Sequence, residues 1–186
     1  MSPTPPKKVL PRGPAANLGA LNILVVDDNR HMRIVIAQIL RALGVGEVYE
    51  AGDGSEALQV MRRHLVDIVM TDYAMEPIDG VDFVGLLRHS PDSPNPMIPV
   101  IMVTAYSTAR RVAEARDAGV NEILVKPITT RAILDRLSRV IDHPRPFVSA
   151  GDYFGPDRRR RVTDARYEGP FRRATDPVRT AADGAG

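Results

Sequence analysis

Ile23-Leu24-Val25-Val26-Asp27-Asp28 joins a short apolar run to two adjacent aspartates near the start of this 186-residue chain. A run of four apolar residues that ends in charge is typical of a strand buried on both faces of a parallel sheet. Apolar residues then recur at helical spacing as far as Leu43, and Gly44 follows as a stop signal. The stretch therefore predicts a strand, a polar turn and a helix.

The same alternation of strand and helix occurs five times along the middle of the chain. The predicted strands are 23–26, 48–51, 68–72, 99–104 and 123–125. The predicted helices are 32–43, 54–65, 81–89, 107–118 and 129–141, the last with Thr129 or Thr130 as its N-cap. Repeated βα units predict an α/β fold in which one doubly wound parallel sheet lies between two layers of helices.

Reactive side chains fall at the predicted carboxyl ends of these strands, namely Asp27, Asp28, Asp72, Thr104 and Lys126. Folds of this kind bind their ligands beyond those strand ends. Neighbouring carboxylates repel one another unless a cation lies among them, and hard oxygen ligands suit Mg²⁺. The pattern predicts a magnesium site at which a phosphoryl group is transferred to a carboxylate, with Lys126 and Thr104 contacting the phosphoryl oxygens.

Five motifs, in order along the chain, resemble the receiver domain of two-component response regulators, and in particular the CheY-like chemotaxis regulators. They are Leu24-Val25-Val26-Asp27-Asp28, Asp67-Ile68-Val69-Met70-Thr71-Asp72, Asp79-Gly80, Val103-Thr104-Ala105 and Lys126-Pro127. The resemblance covers residues 21–142 and implies a flavodoxin-like fold with strand order 2-1-3-4-5. It implies that a histidine kinase phosphorylates Asp72 and that Thr104 and Lys126 read the phosphate. It also implies a cis Lys126–Pro127 bond and Mg²⁺ bound by Asp27, Asp28, Asp72 and the Ala74 backbone carbonyl.

Two positions depart from that pattern. Receivers usually carry Tyr or Phe three residues before the lysine, where the ring relays phosphorylation to the outer face, and this chain has Ile123 there. Glu76 occupies the usual position of a proline, which is displaced by one residue to Pro77. Two other interpretations stay open here: a structural ion network in a doubly wound fold, and a receiver that no kinase phosphorylates.

Composition limits the class of protein. The chain has no cysteine, which excludes disulfides and thiolate metal sites, and it has no apolar run long enough to cross a membrane. Residues 1–20 lack the apolar core of a secretory signal and are predicted to be a flexible leader. The four histidines have no metal-ligand spacing. We expect a cytoplasmic, non-enzymatic protein with a receiver domain at 21–143 and a tail at 144–186.

The tail contains an internal repeat. Tyr153-Phe154-Gly155-Pro156-Asp157-Arg158-Arg159 returns as Tyr167-Glu168-Gly169-Pro170-Phe171-Arg172-Arg173. Each copy ends on an Arg-x-x-Asp pair, Arg161/Asp164 and Arg173/Asp176. Every basic residue of the tail is arginine, which stacks on bases and forks onto paired acceptors as lysine does not. Because aliphatic residues are few, we expect residues 144–186 to be disordered in the absence of a ligand.

Recognition of guanine and phosphate calls for arginine, aromatic and carboxylate side chains together, and each repeat contains all three. Ordering such a tail costs about 2–5 kcal/mol, so the ligand must offer many contacts. The Arg-x-x-Asp pairs resemble the binding site of diguanylate cyclases, and the whole layout resembles the Cle family of CheY-like cyclic di-GMP effectors. That resemblance implies nucleotide binding by Tyr153, Arg158, Arg159, Arg160, Arg161, Asp164, Tyr167, Arg172, Arg173 and Asp176. It further implies docking to the flagellar motor switch, recruitment to the flagellar pole, and control of motility and surface attachment.

Three other interpretations of the tail stay open. In the first, the chain is a conventional response regulator phosphorylated on Asp72 with an incidental tail. In the second, the arginines bind anions without specificity, and in the third, the tail binds nucleic acid. Nucleic acid is disfavoured because six acidic residues lie among the nine arginines of residues 144–186. The sequence also contains no recognisable nucleic-acid-binding fold.

Overall fold

The computed structural model describes residues 18–105 and 108–159. Five parallel strands form its central sheet: β1 (Asn22–Val26), β2 (Glu47–Ala51), β3 (Ile68–Asp72), β4 (Val100–Thr104) and β5 (Glu122–Val125). Five helices alternate with them: α1 (Arg30–Ala42), α2 (Gly54–Arg63), α3 (Gly80–His89), α4 (Ala109–Ala118) and α5 (Thr130–Asp142). The strand order is β2-β1-β3-β4-β5, which confirms the predicted doubly wound, flavodoxin-like fold.

Both faces of the sheet are buried, which explains the continuous apolar runs of its strands. Along β1, Ile23 and Val25 join a cluster with residues of α1 and α5. Leu24 and Val26 join a second cluster with residues of α2, α3 and α4. Successive side chains of a strand point to opposite faces, so this alternation divides the helices into two layers. The loops that carry the reactive residues lie at the carboxyl edge of the sheet, between the layers.

Capping residues fix several helix ends where the sequence predicts them. Thr129 is the N-cap of α5, and its hydroxyl accepts the backbone N–H of Ala132 at 3.2 Å. Gly44 and Gly119 follow α1 and α4 with φ angles of 82° and 98°, the left-handed conformation that favours glycine.

Helix boundaries differ from the prediction by one or two residues, and two of these differences have a visible cause. α4 begins at Ala109 rather than at residue 107, because the Thr108 hydroxyl accepts the N–H of Arg111 and caps the helix there. α2 ends at Arg63 rather than at residue 65, since His64 is extended and its ring stacks on Tyr49 at 4.5 Å between centroids. Apolar spacing encodes neither the hydroxyl contact nor the ring contact, so it misplaces both ends.

The tail is ordered further than the sequence predicts. The expected disorder of residues 144–186 does not hold for their first part, where β6 (Phe147–Ala150) and β7 (Tyr153–Pro156) form an antiparallel hairpin. Its turn contains Gly151, with a φ of 58°. Residues 160–186, which include the second repeat, lie outside the described residues.

Aromatic and ionic contacts hold this hairpin against the sheet and helices. Phe147 packs on Phe154 at 5.7 Å between ring centroids, and its ring lies 5.0 Å from the guanidinium of Arg88, a buried residue of α3. Arg145, just before β6, pairs with Glu122 of β5 at 3.6 Å. The scarcity of aliphatic residues misled the prediction because two rings and a buried arginine supply the contact instead.

The predicted leader also ends earlier than residue 20. Leu18–Ala20 form a 3-10 turn, and the Leu18 carbonyl accepts the N–H groups of Leu21 and Gly46 at 3.0 and 3.1 Å. Residues 1–17 lie outside the described part. Across 18–105 and 108–159, no helix has the length and apolar character needed to cross a membrane.

Candidate functional site

Four of the predicted site residues lie at the carboxyl edge of the sheet, where neighbouring strands end side by side. Asp27 follows β1, Asp72 ends β3, Thr104 ends β4 and Lys126 follows β5. The backbone N–H of Lys126 donates to the Thr104 carbonyl at 2.8 Å, which continues the pairing of β5 with β4 up to the site. The parallel sheet thus brings together side chains that are far apart in the sequence.

Asp72 is the buried carboxylate at the centre of this edge, and it is 7% exposed. Its Oδ1 lies 2.7 Å from Nζ of Lys126, and its Oδ2 accepts the N–H of Ala74 at 2.9 Å. A positive charge and a backbone donor compensate the loss of water around the carboxylate and fix its orientation. The Lys126–Pro127 bond is cis, as predicted.

Asp27 is the second buried carboxylate, at 2% exposed, and it is less well compensated. Its Oδ1 accepts the N–H of Asn29 at 2.8 Å. Its Oδ2 is buried without a hydrogen-bond donor from the described residues, and Nζ of Lys126 lies 3.9 Å away. Burial raises the pKa of Asp27 above its ordinary value, and the nearby charge of Asp72 adds to the shift. A cation at this oxygen would offset both the cost of burying the charge and the repulsion from Asp72.

Asp28, by contrast, lies exposed at the rim, where its Oδ2 accepts the N–H of Glu76 at 3.3 Å. Among residues 18–105 and 108–159, no three His, Cys, Asp or Glu side chains converge as a metal site. Mg²⁺ is usually held by one or two carboxylates and several waters, so Asp27 and Asp72 with one backbone oxygen fit this ion. The roles predicted for Asp28 and for the carbonyl of Ala74 stay predictions.

Comparison with known proteins agrees with this geometry. The model of the response regulator receiver domain matches residues 23–138. The chain belongs to the response regulator receiver family. Receiver domains typically bind Mg²⁺. Chemotaxis protein CheY-3 of Vibrio cholerae is 34% identical over 122 residues, which cover 66% of this chain and 92% of the relative. Chemotaxis protein CheY of Pseudomonas aeruginosa is also 34% identical, with 97% of its length covered.

Solved structures give the same result. The chemotaxis protein CheY4 of Vibrio cholerae, crystallised at low pH, superposes with a TM-score of 0.60 at 30% identity. That match covers 64% of this chain and 98% of the other. A putative response regulator from Chloroflexus aurantiacus gives a TM-score of 0.60 at 28% identity, with 65% of this chain and 97% of the other covered. The receiver model ends at residue 138, before the hairpin begins.

Arg33 is a site residue of this receiver that the sequence reasoning missed. Its Nη1 donates to the Asp27 carbonyl at 2.6 Å and lies 3.5 Å from the Asp28 carbonyl, while its Nε lies 3.8 Å from Glu50. The guanidinium therefore braces the loop that carries both aspartates from its backbone side. The available signal was a basic residue on the first turn of α1, five residues after Asp28.

Tyr73 was also missed, and it links the receiver site to α4. Its hydroxyl donates to Glu114 at 2.6 Å, and this hydrogen bond raises the pKa of Tyr73. Glu114 also accepts from Arg110 at 2.8 Å, and the Arg111 guanidinium lies 5.0 Å from the Tyr73 ring. Ile123, which replaces the usual aromatic residue, is half-buried and packs, like Tyr73, against the apolar cluster formed with α2, α3 and α4.

Three predicted nucleotide ligands lie within the described tail of the receiver. The Tyr153 hydroxyl donates to the Pro156 carbonyl at 2.6 Å, and the Arg158 guanidinium lies 3.8 Å from the Tyr153 ring centroid. Arg158 also pairs with Asp117 of α4 at 3.4 Å, while Arg159 is exposed. The other predicted ligands, Arg160, Arg161, Asp164, Tyr167, Arg172, Arg173 and Asp176, lie outside the described residues.

Proposed function

We propose that this receiver is a non-enzymatic signalling adaptor whose arginine-rich tail binds cyclic di-GMP and controls docking to a partner, the flagellar motor switch. The observation that carries the proposal is the duplicated Tyr-x-Gly-Pro-x-Arg-Arg segment with its two Arg-x-x-Asp pairs. A dinucleotide with two guanines and two phosphates offers each repeat a base to stack on, a purine edge and an anion. The contact of Arg158 with the Tyr153 ring supports the pairing of guanidinium and aromatic surface in one repeat.

The receiver site supports a second input at Asp72. Its carboxylate would attack the phosphorus of a phosphodonor to form an acyl phosphate, while the bond from phosphorus to the leaving group breaks. Asp27, Asp28, Asp72 and the Ala74 carbonyl would hold Mg²⁺, whose positive charge would offset the charge of the phosphoryl group. Lys126 and Thr104 would contact the phosphoryl oxygens, since both lie at the same edge of the sheet.

The output surface is proposed near α4 and α5, by analogy with CheY. Val112 on α4 and Val125 at the end of β5 are 37% and 40% exposed, which leaves apolar area for a partner. Tyr73 connects the Asp72 site to α4 at Glu114, and Arg158 of the tail contacts the same helix one turn later, at Asp117. Both inputs therefore have a physical route to this helix.

Isothermal titration of cyclic di-GMP into the full chain tests the nucleotide site. We expect binding that Arg172→Ala/Arg173→Ala abolishes and that Arg62→Ala/Arg63→Ala retains, because the control removes an equally adjacent, exposed pair on α2. Two nucleotides per chain would indicate an intercalated dimer. Absence of heat with the unaltered chain, at several temperatures, would refute the nucleotide site.

Association with the motor switch protein tests the output. The proposal expects capture that increases with cyclic di-GMP and that is lost with Arg172→Ala/Arg173→Ala. Equal capture with and without the nucleotide contradicts it.

The second candidate function is a conventional response regulator phosphorylated on Asp72, with an incidental or nucleic-acid-binding tail. The pairing of Lys126 with Asp72 and the two buried carboxylate oxygens that would accept a cation, Oδ2 of Asp27 and Oδ1 of Asp72, favour it. Deletion of residues 160–186 separates the two candidates while retaining the hairpin. Unchanged signalling favours the conventional regulator, and loss favours the adaptor. Displacement of bound cyclic di-GMP by RNA at physiological salt would identify a nucleic-acid tail.

A further inference from the structure

The first repeat packs on a corner of the receiver that lies opposite the Asp72 site. This corner consists of Arg88 on α3 with Asp117 and Gly119 at the end of α4. Arg88 is 3% exposed, and its guanidinium donates to the Gly119 carbonyl at 2.9 and 3.2 Å and to the Pro96 carbonyl at 2.8 Å. Burial lowers the pKa of Arg88 to about 10, and proximity to Tyr153 partly offsets that shift.

Strand β7 crosses this corner at a distance that only glycine permits. A Cβ on Gly155 would lie 2.9 Å from the Cα of Gly119 and 2.7 Å from the Tyr153 hydroxyl oxygen. A Cβ on Gly119 would lie 3.2 Å from the Phe154 carbonyl oxygen. The two backbones therefore meet glycine to glycine, and any side chain at position 155 forces them apart.

The other repeated residues complete the contact. Tyr153 donates to the Pro156 carbonyl and closes the segment on itself, and Arg158 stacks on that ring while it pairs with Asp117. Tyr, Gly, Pro and Arg, at positions 153, 155, 156 and 158, are thus the residues through which the segment is shaped and held on the corner.

These four residues recur at the same spacing in the second repeat, as Tyr167, Gly169, Pro170 and Arg172. The two positions that change between the repeats make their ring contact and side-chain hydrogen bond within the tail itself. Phe154, replaced by Glu168, packs on Phe147 inside the hairpin, and Asp157, replaced by Phe171, accepts the N–H of Arg159 in its own loop. The residues that hold the segment on the corner are therefore the same in both repeats, whereas the residues that make contacts within the hairpin and its loop differ.

We propose that this corner is a docking site for a Tyr-x-Gly-Pro-x-Arg segment, and that residues 167–172 of the same chain are its second occupant. The first repeat holds the site at rest, because a turn of two residues joins it to β6. The second repeat would close a longer loop and lose the Phe147–Phe154 contact, which disfavours it by a factor on the order of ten. Exchange releases Tyr153 and Arg158 from the corner and places Tyr167 and Arg172 there.

Amide hydrogen exchange, measured on the full chain and on a set of glycine variants, tests whether the second repeat can replace the first at the corner. Gly155→Ala expels the first repeat, so residues 153–156 should lose protection while the corner, residues 116–121, stays protected and residues 167–172 gain protection. Gly169→Ala alone should change nothing at the corner. Gly155→Ala/Gly169→Ala should expose the corner, with exchange on the order of ten-fold faster than in either single variant.

Equal exchange at the corner in Gly155→Ala and in the double variant would overturn the proposal, since the second repeat would then make no difference. Protection that depends on protein concentration would overturn the intrachain form, because the occupant would come from another copy. If Gly155→Ala does not fold, Tyr153→Phe and Tyr167→Phe give the same comparison by removing one hydroxyl from each repeat. This test uses no nucleotide, so its outcome is independent of cyclic di-GMP binding.

Discussion

At the scale of single residues, two buried carboxylates at one edge of the sheet have unequal surroundings. Asp72 has Lys126 at 2.7 Å and the N–H of Ala74, whereas Oδ2 of Asp27 lacks a hydrogen-bond donor among the described residues. Burial and the charge of Asp72 raise the pKa of Asp27. The folded receiver therefore carries a charge that destabilises it until a cation binds.

Asp27→Asn should stabilise the metal-free receiver at neutral pH. Because the folded pKa of Asp27 lies above its ordinary value of 3.8, the folded state loses stability as pH rises through that folded pKa. The asparagine amide avoids this loss. We therefore expect the free energy of unfolding in EDTA at about pH 7 to rise by about 1 kcal/mol, which corresponds to about 2–4 °C in Tm. The gain should vanish below about pH 4, where Asp27 is protonated.

Thermal unfolding with EDTA and with Mg²⁺ measures this effect. Mg²⁺ should raise the Tm of the unaltered chain more than that of Asp27→Asn, since the amide is a poorer ligand. Asp28→Asn is the matched control, because that carboxylate is exposed and should change Tm little. A lower Tm for Asp27→Asn in EDTA would show that its carboxylate is already compensated.

At the scale of elements, the second half of α4 receives contacts from two other parts of the chain. Glu114, in the middle of the helix, accepts from Tyr73, the residue that follows the predicted phosphoacceptor. At its end, Gly119 receives β7 and Asp117 pairs with Arg158. This helix is therefore the element through which both the Asp72 site and the tail reach the proposed output face.

Tyr73→Phe should loosen α4 without disturbing the Asp72 site. The change removes the hydroxyl that donates to Glu114 and keeps the ring beside Arg111. We expect amide exchange in residues 109–118 to accelerate about two- to ten-fold. Beryllofluoride binding at Asp72 should persist, which shows that the site is intact.

Arg110→Ala is the control for that experiment, since it removes the exposed i,i+4 pair with Glu114 and leaves Tyr73 in place. It should change exchange less than Tyr73→Phe does. Equal acceleration by the two variants would mean that Tyr73 adds nothing to the stability of α4.

Two truncations should separate the hairpin from the rest of the tail. Deletion of residues 144–186 uncovers Arg88 and Gly119, so we expect a loss of about 1–3 kcal/mol and a fall in Tm of several degrees. Deletion of residues 160–186 keeps both strands and should leave Tm nearly unchanged. Denaturant unfolding of both forms measures the difference, and equal stability would mean that the hairpin contributes nothing.

At the scale of the whole molecule, the Asp72 site and the hairpin that begins the tail lie at opposite edges of the central sheet. Asp72 ends β3 at the carboxyl edge, whereas the hairpin contacts the end of α4 and the residues that lead into β5. Ile123 replaces the usual aromatic relay, and Tyr73 contacts α4 at Glu114 rather than at Asp117 and Gly119, which the hairpin segment contacts. We therefore expect weak coupling between phosphorylation and nucleotide binding.

Asp72→Asn should leave the affinity for cyclic di-GMP within about two-fold of the unaltered chain, and beryllofluoride should do the same. Titration calorimetry with and without Mg²⁺ and beryllofluoride measures this. Arg172→Ala/Arg173→Ala serves as the control that abolishes binding. A change of about five-fold or more would reveal a coupling through α4 that the static contacts do not require.

The sequence by itself determined the doubly wound sheet and the side chains at its carboxyl edge, whereas the strand order followed from the resemblance to receiver domains. Apolar runs that end in Asp27, Asp72 and Thr104 mark buried parallel strands, and short right-handed βα connections then place those ends together. Local patterns suffice for this because each strand and helix is specified by residues a few positions apart. Lys126 follows from the same rule.

Tertiary structure alone decided the orientation of Asp28 toward the rim, the bracing role of Arg33, the link from Tyr73 to Glu114, and the packing of the first repeat on Arg88 and Gly119. Each depends on the distance and direction between groups on different elements or loops, which spacing along one element does not encode. The hairpin shows this most clearly. The tail as a whole has the composition of a disordered segment, and its hairpin is ordered because the receiver presents a glycine and a buried arginine that fit it.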